Sequence, residues 1–155
     1  MVFDNVMEML GNSGCAFTLH SHQPIRTIEE AEAKVPHLTE NLLKTVVFKI
    51  KDSHWILAAV AGPDHIHYKK LGEAFSVSRR KLRSVSPEQV ETGLGFEVGG
   101  VGPFPVAEDV RIVIDAELAA LDRIFCGSGK NTRTVEIAIK DLIALTVARV
   151  SSISR

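Results

Sequence analysis

No run of this chain approaches the roughly 18 apolar residues that a membrane-spanning helix needs. The N-terminus, MVFDNVMEML, has an early acid, no basic stretch and no small-residue cleavage site, so it does not read as a secretory signal. These absences lead to the expectation of a cytoplasmic protein with no membrane partner. Cysteine is scarce: Cys15 and Cys126 are the only two, with no CxxC pair. That excludes a disulfide framework and a zinc knuckle, and leaves two reduced, small hydrophobic side chains. A surplus of basic charge is also missing, because the net charge is −1 with histidine neutral. Proteins that hold long nucleic acid through many phosphates are usually basic. The balance argues against broad backbone binding and leaves room for contact with a short nucleic-acid end. Repeats and low-complexity tracts are absent. So are the GxSxG elbow and the HExxH pair.

What is present is a chain of 155 residues, 45% hydrophobic and 24% charged. That suits one soluble globular domain spanning 1–155 around one core. Val2, Val6, Met9 and Leu10 recur at helical spacing and predict a first helix ended by Gly11 and Gly14. CAFTLH is a short strand candidate. Thr27 and Glu30 stand at capping-box spacing, so a helix starts at Thr27 and Pro36 stops it. LLKTVVFKI and HWILAAVAG, separated by KDS, predict a β-hairpin over roughly residues 43 to 61. HYKKLGEAF reads as a short helix. SPEQVETG offers Ser86 as N-cap, Pro87 at the first helical position, Gln89 to complete the box and Gly93 as C-cap. VRIVID, RIFCG, TVEIAI and ARVSSI read as strands, and AELAALD and KDLIALT as helices. Adjacent strand pairs mixed with helices indicate an α+β fold with a mixed sheet rather than a regular βαβ series.

Four segments carry possible chemistry. In LLKTVVFK, Lys44 borders a strongly apolar strand. It reads either as a snorkelling side chain or as an ammonium at a pocket mouth, gripping an anionic or carbonyl oxygen. GGVGPFP, residues 99–105, packs three glycines and two prolines into seven positions. Such a loop is either a tight crossing between sheet elements or a set of exposed, restrained amides able to bind a carbonyl or oxyanion. GSGKNTR brings Lys130 and Arg133 beside bare backbone, either as a phosphate cradle or as a solvated hairpin loop. It is not a Walker A loop, which needs four residues before the Gly-Lys pair where this segment has one. SRRKLR, with Arg79, Arg80, Lys81 and Arg83, is the densest basic run and the candidate for phosphate contact. Two HxH pairs, His20/His22 and His65/His67, have strand spacing that puts both rings on one face. Neither has a carboxylate or cysteine signature to complete a metal site, so hydrogen-bonded or surface histidines are expected.

In this order, LLKTVVFK, TGLGFEVGGVGPFP and GSGKNTRTVEI resemble the YbaK/ProX family of free-standing aminoacyl-tRNA deacylases, relatives of the editing domain inserted in bacterial prolyl-tRNA synthetases. The resemblance covers nearly the whole chain. It implies a mixed, partly closed β-sheet surrounded by helices, and hydrolysis of a mischarged aminoacyl ester at a tRNA 3′ end. It implies no cofactor and no metal. The family's pocket lysine falls on Lys44. Its glycine-rich loop ending in proline falls on Gly99, Gly100 and Pro103, and its later loop on Gly127 and Gly129 with Lys130 beside it; Gly102 and Ser128, within these loops, are further substrate-binding candidates. The expected mechanism is water attack, with amides of residues 99–102 on the carbonyl and Lys44 on the terminal adenosine or ester oxygens. Lys130 and Arg79, Arg80, Lys81 and Arg83 would contact tRNA phosphates. No general base stands out, so substrate groups would help activate the water. Two positions depart from many family members: Pro105 stands where a glycine is common, and Thr134 where an acid is common. The substrate stays open among alanine, cysteine, serine and threonine on noncognate tRNA, with tRNA-Pro foremost and a synthetase as a further partner. Two other classes remain: a non-catalytic module that binds aminoacyl-tRNA or a nucleotide end, and a metal hydrolase built on the HxH pairs.

Overall fold

The computed structural model describes residues 1–155. The chain begins with helix α1 (Val2–Ser13), then strand β1 (Phe17–Ser21) and helix α2 (Ile28–Lys34). The hairpin follows as β2 (Leu43–Ile50) and β3 (Trp55–Ala61), then α3 (Tyr68–Ala74), β4 (Leu82–Ser84) and α4 (Pro87–Leu94). The remainder is β5 (Val110–Asp115), α5 (Ala116–Ala119), β6 (Arg123–Gly127), β7 (Arg133–Ala138), α6 (Ile139–Thr146) and β8 (Arg149–Ser151).

The elements follow local chemistry closely. Thr27 caps α2 by accepting from the Glu30 amide, and Pro36 opens a separate 3₁₀ turn instead of continuing the helix. Ser86 and Gln89 complete the capping box of α4. Two glycines depart from expectation. Helix α1 runs through Gly11 and is closed by Gly14. Helix α4 runs through Gly93 and is closed by Gly95. The reason at Gly93 is packing, since a Cβ there would lie 2.8 Å from the Trp55 indole. Extending the helix also lets Leu94 bury its side chain.

Two sheets form. Strands β1, β7 and β6 make a three-stranded antiparallel sheet. Strands β4, β2, β3, β5 and β8 make a five-stranded mixed sheet, parallel at β3–β5 and β5–β8. Strand β3 is central and apolar throughout because both its faces are covered. Leu57 and Ala59 enter the larger core with α1, α4 and α6, while Ile56, Ala58 and Val60 enter a second core with Phe48 and Leu71.

The junction of the two sheets positions the site. At its start β2 lies beside β6, through a bridge between Leu42 and Phe125 and a hydrogen bond from the Phe125 amide to the Asn41 carbonyl (3.2 Å). At its far end the same edge of β2 pairs with β4, starting at Phe48. Between these contacts no strand covers that edge of β2. The Val85 amide extends the β4 contact to the Val47 carbonyl (3.1 Å), so the fold is α+β, with a mixed sheet that meets a second sheet and leaves a gap beside residues 43–46.

Candidate active site

A cavity of about 440 Å³ opens at that gap. Its apolar side comes from β2, α2 and α4, including Leu43, Val47, Ala31 and Val90. Its polar side comes from the loops after β1 and α4 and from the β6–β7 connection. Four cations line it, Arg26, Lys44, Lys130 and Arg133, and no aspartate or glutamate does. For a chain of net charge −1, this is a strong local concentration of one sign.

Lys44 is half-buried in the wall, and its Nζ donates to the Asp64 backbone carbonyl. Burial holds its pKa below the ordinary lysine value, while the negative charges of Asp64 and Glu29 pull it partly back. Lys130 reaches over the ring of Phe3 on α1, with Nζ 4.6 Å from the centroid. Cys126 also borders the cavity, but burial pushes its thiol up to about 12. It stays protonated and is a poor nucleophile.

The two glycine-rich segments are a single piece of wall. Residues 97–100 form a turn in which the Gly100 amide donates to the Glu97 carbonyl (2.8 Å). Gly99 occupies the position of this turn that requires positive φ, at 86°. The missing Cβ of Gly99 also lets the chain at Ile25 and Arg26 lie against it, since a Cβ would sit 2.2 Å from the Ile25 carbonyl oxygen. That approach is what brings Arg26 to the cavity. The Gly129 amide donates to the Gly100 carbonyl (2.7 Å), and the Glu97 amide to the Gly129 carbonyl (3.0 Å). Asn131 stitches the same seam, with its amide on the Glu97 carboxylate (2.9 Å) and its Nδ2 on the Val98 carbonyl (3.0 Å).

Of the sequence-predicted residues, Lys44, Gly99, Gly127 and Lys130 line the cavity. Gly100, Gly102, Pro103, Ser128 and Gly129 are buried behind the lining. Ser128 spends its hydroxyl on the Arg133 carbonyl (2.7 Å). Gly99 and Val101 both line the cavity, and the backbone amide of neither donates to a protein acceptor. Arg79, Arg80 and Lys81 form a 3₁₀ turn before β4 and stand outside the cavity. Arg83 borders a second, open groove together with Lys49, Lys51 and Trp55. Val85 belongs to both walls, so groove and cavity adjoin.

Sequence reasoning missed Arg26 and the pairing of His22 with Thr134, three residues that line the cavity, whereas Val101 falls within the 99–102 amides it singled out. His20 and His22 do share a face, but each bonds to strand β7. His20 Nε2 lies 2.8 Å from Glu136 Oε1, and His22 Nε2 lies 2.7 Å from Thr134 Oγ1. Glu136 also accepts from Arg123 Nε (3.0 Å). The hydrogen bonds from His20 and then Arg123 hold its carboxyl below the usual range. His67 caps α3 by accepting from the Lys70 amide (3.3 Å).

The fold and this cavity define a class: a small α+β domain with a half-apolar, cation-lined cleft beside free backbone amides. The family model of the aminoacyl-tRNA editing domain matches residues 22–145. The chain belongs to that family. It is 28% identical over 124 residues to the uncharacterized protein YwhH of Bacillus subtilis, covering 80% of this chain and 77% of that protein. It is 31% identical over 105 residues to the proline–tRNA ligase of Bacillus cytotoxicus, covering 68% of this chain but only 18% of that enzyme. Two crystal structures share the fold. One, of a hypothetical protein, superposes with a TM-score of 0.86 at 22% identity, covering 97% of this chain and 99% of that one. The other, described as "a putative trans-editing enzyme for prolyl tRNA synthetase", superposes at 0.81 with 23% identity, covering 99% and 97%. The resemblance drawn from the three sequence segments therefore stands, as does the fold class it implied. No helix is long and apolar enough to cross a membrane.

Proposed function

We propose that residues 1–155 act as a free-standing editing hydrolase of the cytoplasm. Its reaction is the removal of a wrongly attached small amino acid (alanine, cysteine, serine or threonine) from a noncognate tRNA, tRNA-Pro foremost. The observation that carries this reading is the cavity lining: four cations, no carboxylate, and the unengaged amides of Gly99 and Val101. An aminoacyl ester on a terminal adenosine combines a phosphate-borne negative charge, a carbonyl that becomes an oxyanion, and a short side chain. Cations suit the first, backbone amides the second, and the apolar β2–α4 side the third. The ester is already activated, so positioning and charge stabilisation supply most of what hydrolysis needs. Water attacks the carbonyl carbon, and the Lys44 ammonium holds the adenosine or ester oxygens. Exclusion by size discriminates better than affinity, because one methylene is worth only about 1–3 kcal/mol.

The test is a deacylation assay on a panel of mischarged tRNAs, run for the parent and for Lys44→Ala. The parent is expected to release at least one small amino acid. Lys44→Ala should lose about 10²-fold or more in kcat/KM, as for removal of an oxyanion-type contact. Binding without turnover by the parent would point instead to a non-catalytic aminoacyl-tRNA module. An unchanged rate would remove Lys44 from the reaction.

A further inference from the structure

The hydrolase reading leaves the activation of water to substrate groups, yet the cavity wall holds an oriented histidine and hydroxyl pair of the protein's own. His22 Nδ1 lies 2.8 Å from the Gln23 carbonyl oxygen. A carbonyl only accepts, so this ring nitrogen carries the proton. The neutral ring then has its lone pair on Nε2, where the Thr134 hydroxyl donates to it across 2.7 Å. No donor in the protein points at Thr134 Oγ1, and both residues line the cavity. An oriented imidazole, a hydroxyl bonded to it and a third group fixing the tautomer form the arrangement that activates an oxygen nucleophile. Strand register builds it. Thr134 lies opposite His20 in the β1–β7 ladder, and His22 reaches it diagonally. His20 reaches Glu136 in the same way.

Building on the hydrolase reading, we infer that His22 is the general base of the ester hydrolysis and that Thr134 is its proton relay. Water donates to Thr134 Oγ1 and loses a proton to it while the Thr134 proton passes to His22 Nε2. The oxygen lone pair so freed forms a bond to the ester carbonyl carbon. When the tetrahedral intermediate collapses, the bond between that carbon and the ribose oxygen breaks. The imidazolium proton returns through Thr134 to the ribose oxygen, giving a free ribose hydroxyl and the amino acid. The charged groups around this pair are Arg26, Lys44, Lys130 and Arg133 along the cavity, with His20 and Glu136 on the neighbouring rungs.

The experiment is deacylation kinetics across pH for the parent, His22→Ala, Thr134→Val and Thr134→Ser. Circular dichroism and thermal unfolding check each fold. His22→Ala and Thr134→Val should lower kcat by about 10²-fold, the usual scale of general-base loss, with KM little changed. Thr134→Ser should keep most of the rate. The acid limb of the parent profile should disappear in His22→Ala. A folded His22→Ala with the parent's kcat and acid limb overturns the inference, as does parental activity in Thr134→Val. An acyl group trapped on Thr134 and seen by mass spectrometry also overturns it, since the hydroxyl would then be the nucleophile. A parent inactive on every ester removes the hydrolase reading and this one together, whereas an active parent with unaffected variants removes this one alone.

Discussion

Lys44 shows how much a single residue's surroundings decide. On an open strand its ammonium would remain charged until pH nears 10.5. Half-buried at the cavity, it is pushed downward by desolvation, and Asp64 and Glu29 restore only part of the difference. The sign for activity follows. A step that needs the ammonium is intact at low pH and fades as pH rises through the depressed value, earlier than for an exposed lysine. The sign for stability is opposite, because folding favours the neutral amine and stability rises with pH across that interval. The rate should therefore show an alkaline limb below 10.5, and Lys44→Arg should remove that limb because arginine does not titrate there. The check is kcat measured against pH for both proteins. A limb unmoved by Lys44→Arg belongs to another group.

The element scale is where close backbone packing replaces side chains. The loop 99–102 and the β6–β7 connection touch main chain to main chain. A Cβ on Gly102 would stand 2.0 Å from the Gly127 carbonyl oxygen, and backbone cannot swing aside as a flexible side chain can. Gly102→Ala should cost about 2–3 kcal/mol, the upper range for overpacking, and should lower kcat by displacing the Val101 amide. Denaturant unfolding and deacylation kinetics on one preparation give both numbers, and a stable, fully active variant would show that the two loops are not one wall. Much at this scale was readable locally. The Thr27 and Ser86 caps, the 43–61 hairpin and the β6–β7 pair all carry their signals within a few residues. Strand β4 was not readable: it has three residues, and its register sets Arg83 against Lys49, like charge facing like charge. Nor was the end of α6, where Val147 rather than glycine takes the left-handed cap position at φ 52°. The candidate site divides in the same way. Lys44 and the glycines lie in distinctive short segments. Arg26 reaches the cavity only because Gly99 lets two loops touch, and His22 finds Thr134 112 positions away. Such partners are set by strand order, and no local pattern encodes the parallel β3–β5 pairing or the bridge between the sheets.

At the scale of the molecule, the near-zero net charge hides an uneven distribution. Four cationic residues line a cavity free of carboxylates, and the adjoining groove adds Lys49, Lys51 and Arg83 beside a single acid, Asp52. None of these seven takes part in a salt bridge to a carboxylate. Lys49 instead lies over the Trp55 ring at 4.4 Å. Arg83 and Lys49 face each other across β2 and β4 with no carboxylate bridging either, which costs stability unless an anion arrives. A polyanion tracking cavity and groove would meet a short basic path on a protein whose remaining charge is net negative. Its binding should therefore depend on salt, but less steeply than for proteins that coat a duplex. Each phosphate neutralised contributes a slope of about −0.7 to −0.9 in log affinity against log salt. A path of this length should give about three or four such contacts, and so a slope near −3. The slope of kcat/KM for deacylation between low and moderate salt measures this. Arg83→Ala and Lys49→Ala should each reduce it by about one contact while kcat at saturating tRNA stays constant, because both residues line the groove and not the cavity proposed for the ester. A slope steeper than about −6, or one indifferent to both substitutions, would place the tRNA on another face of the protein.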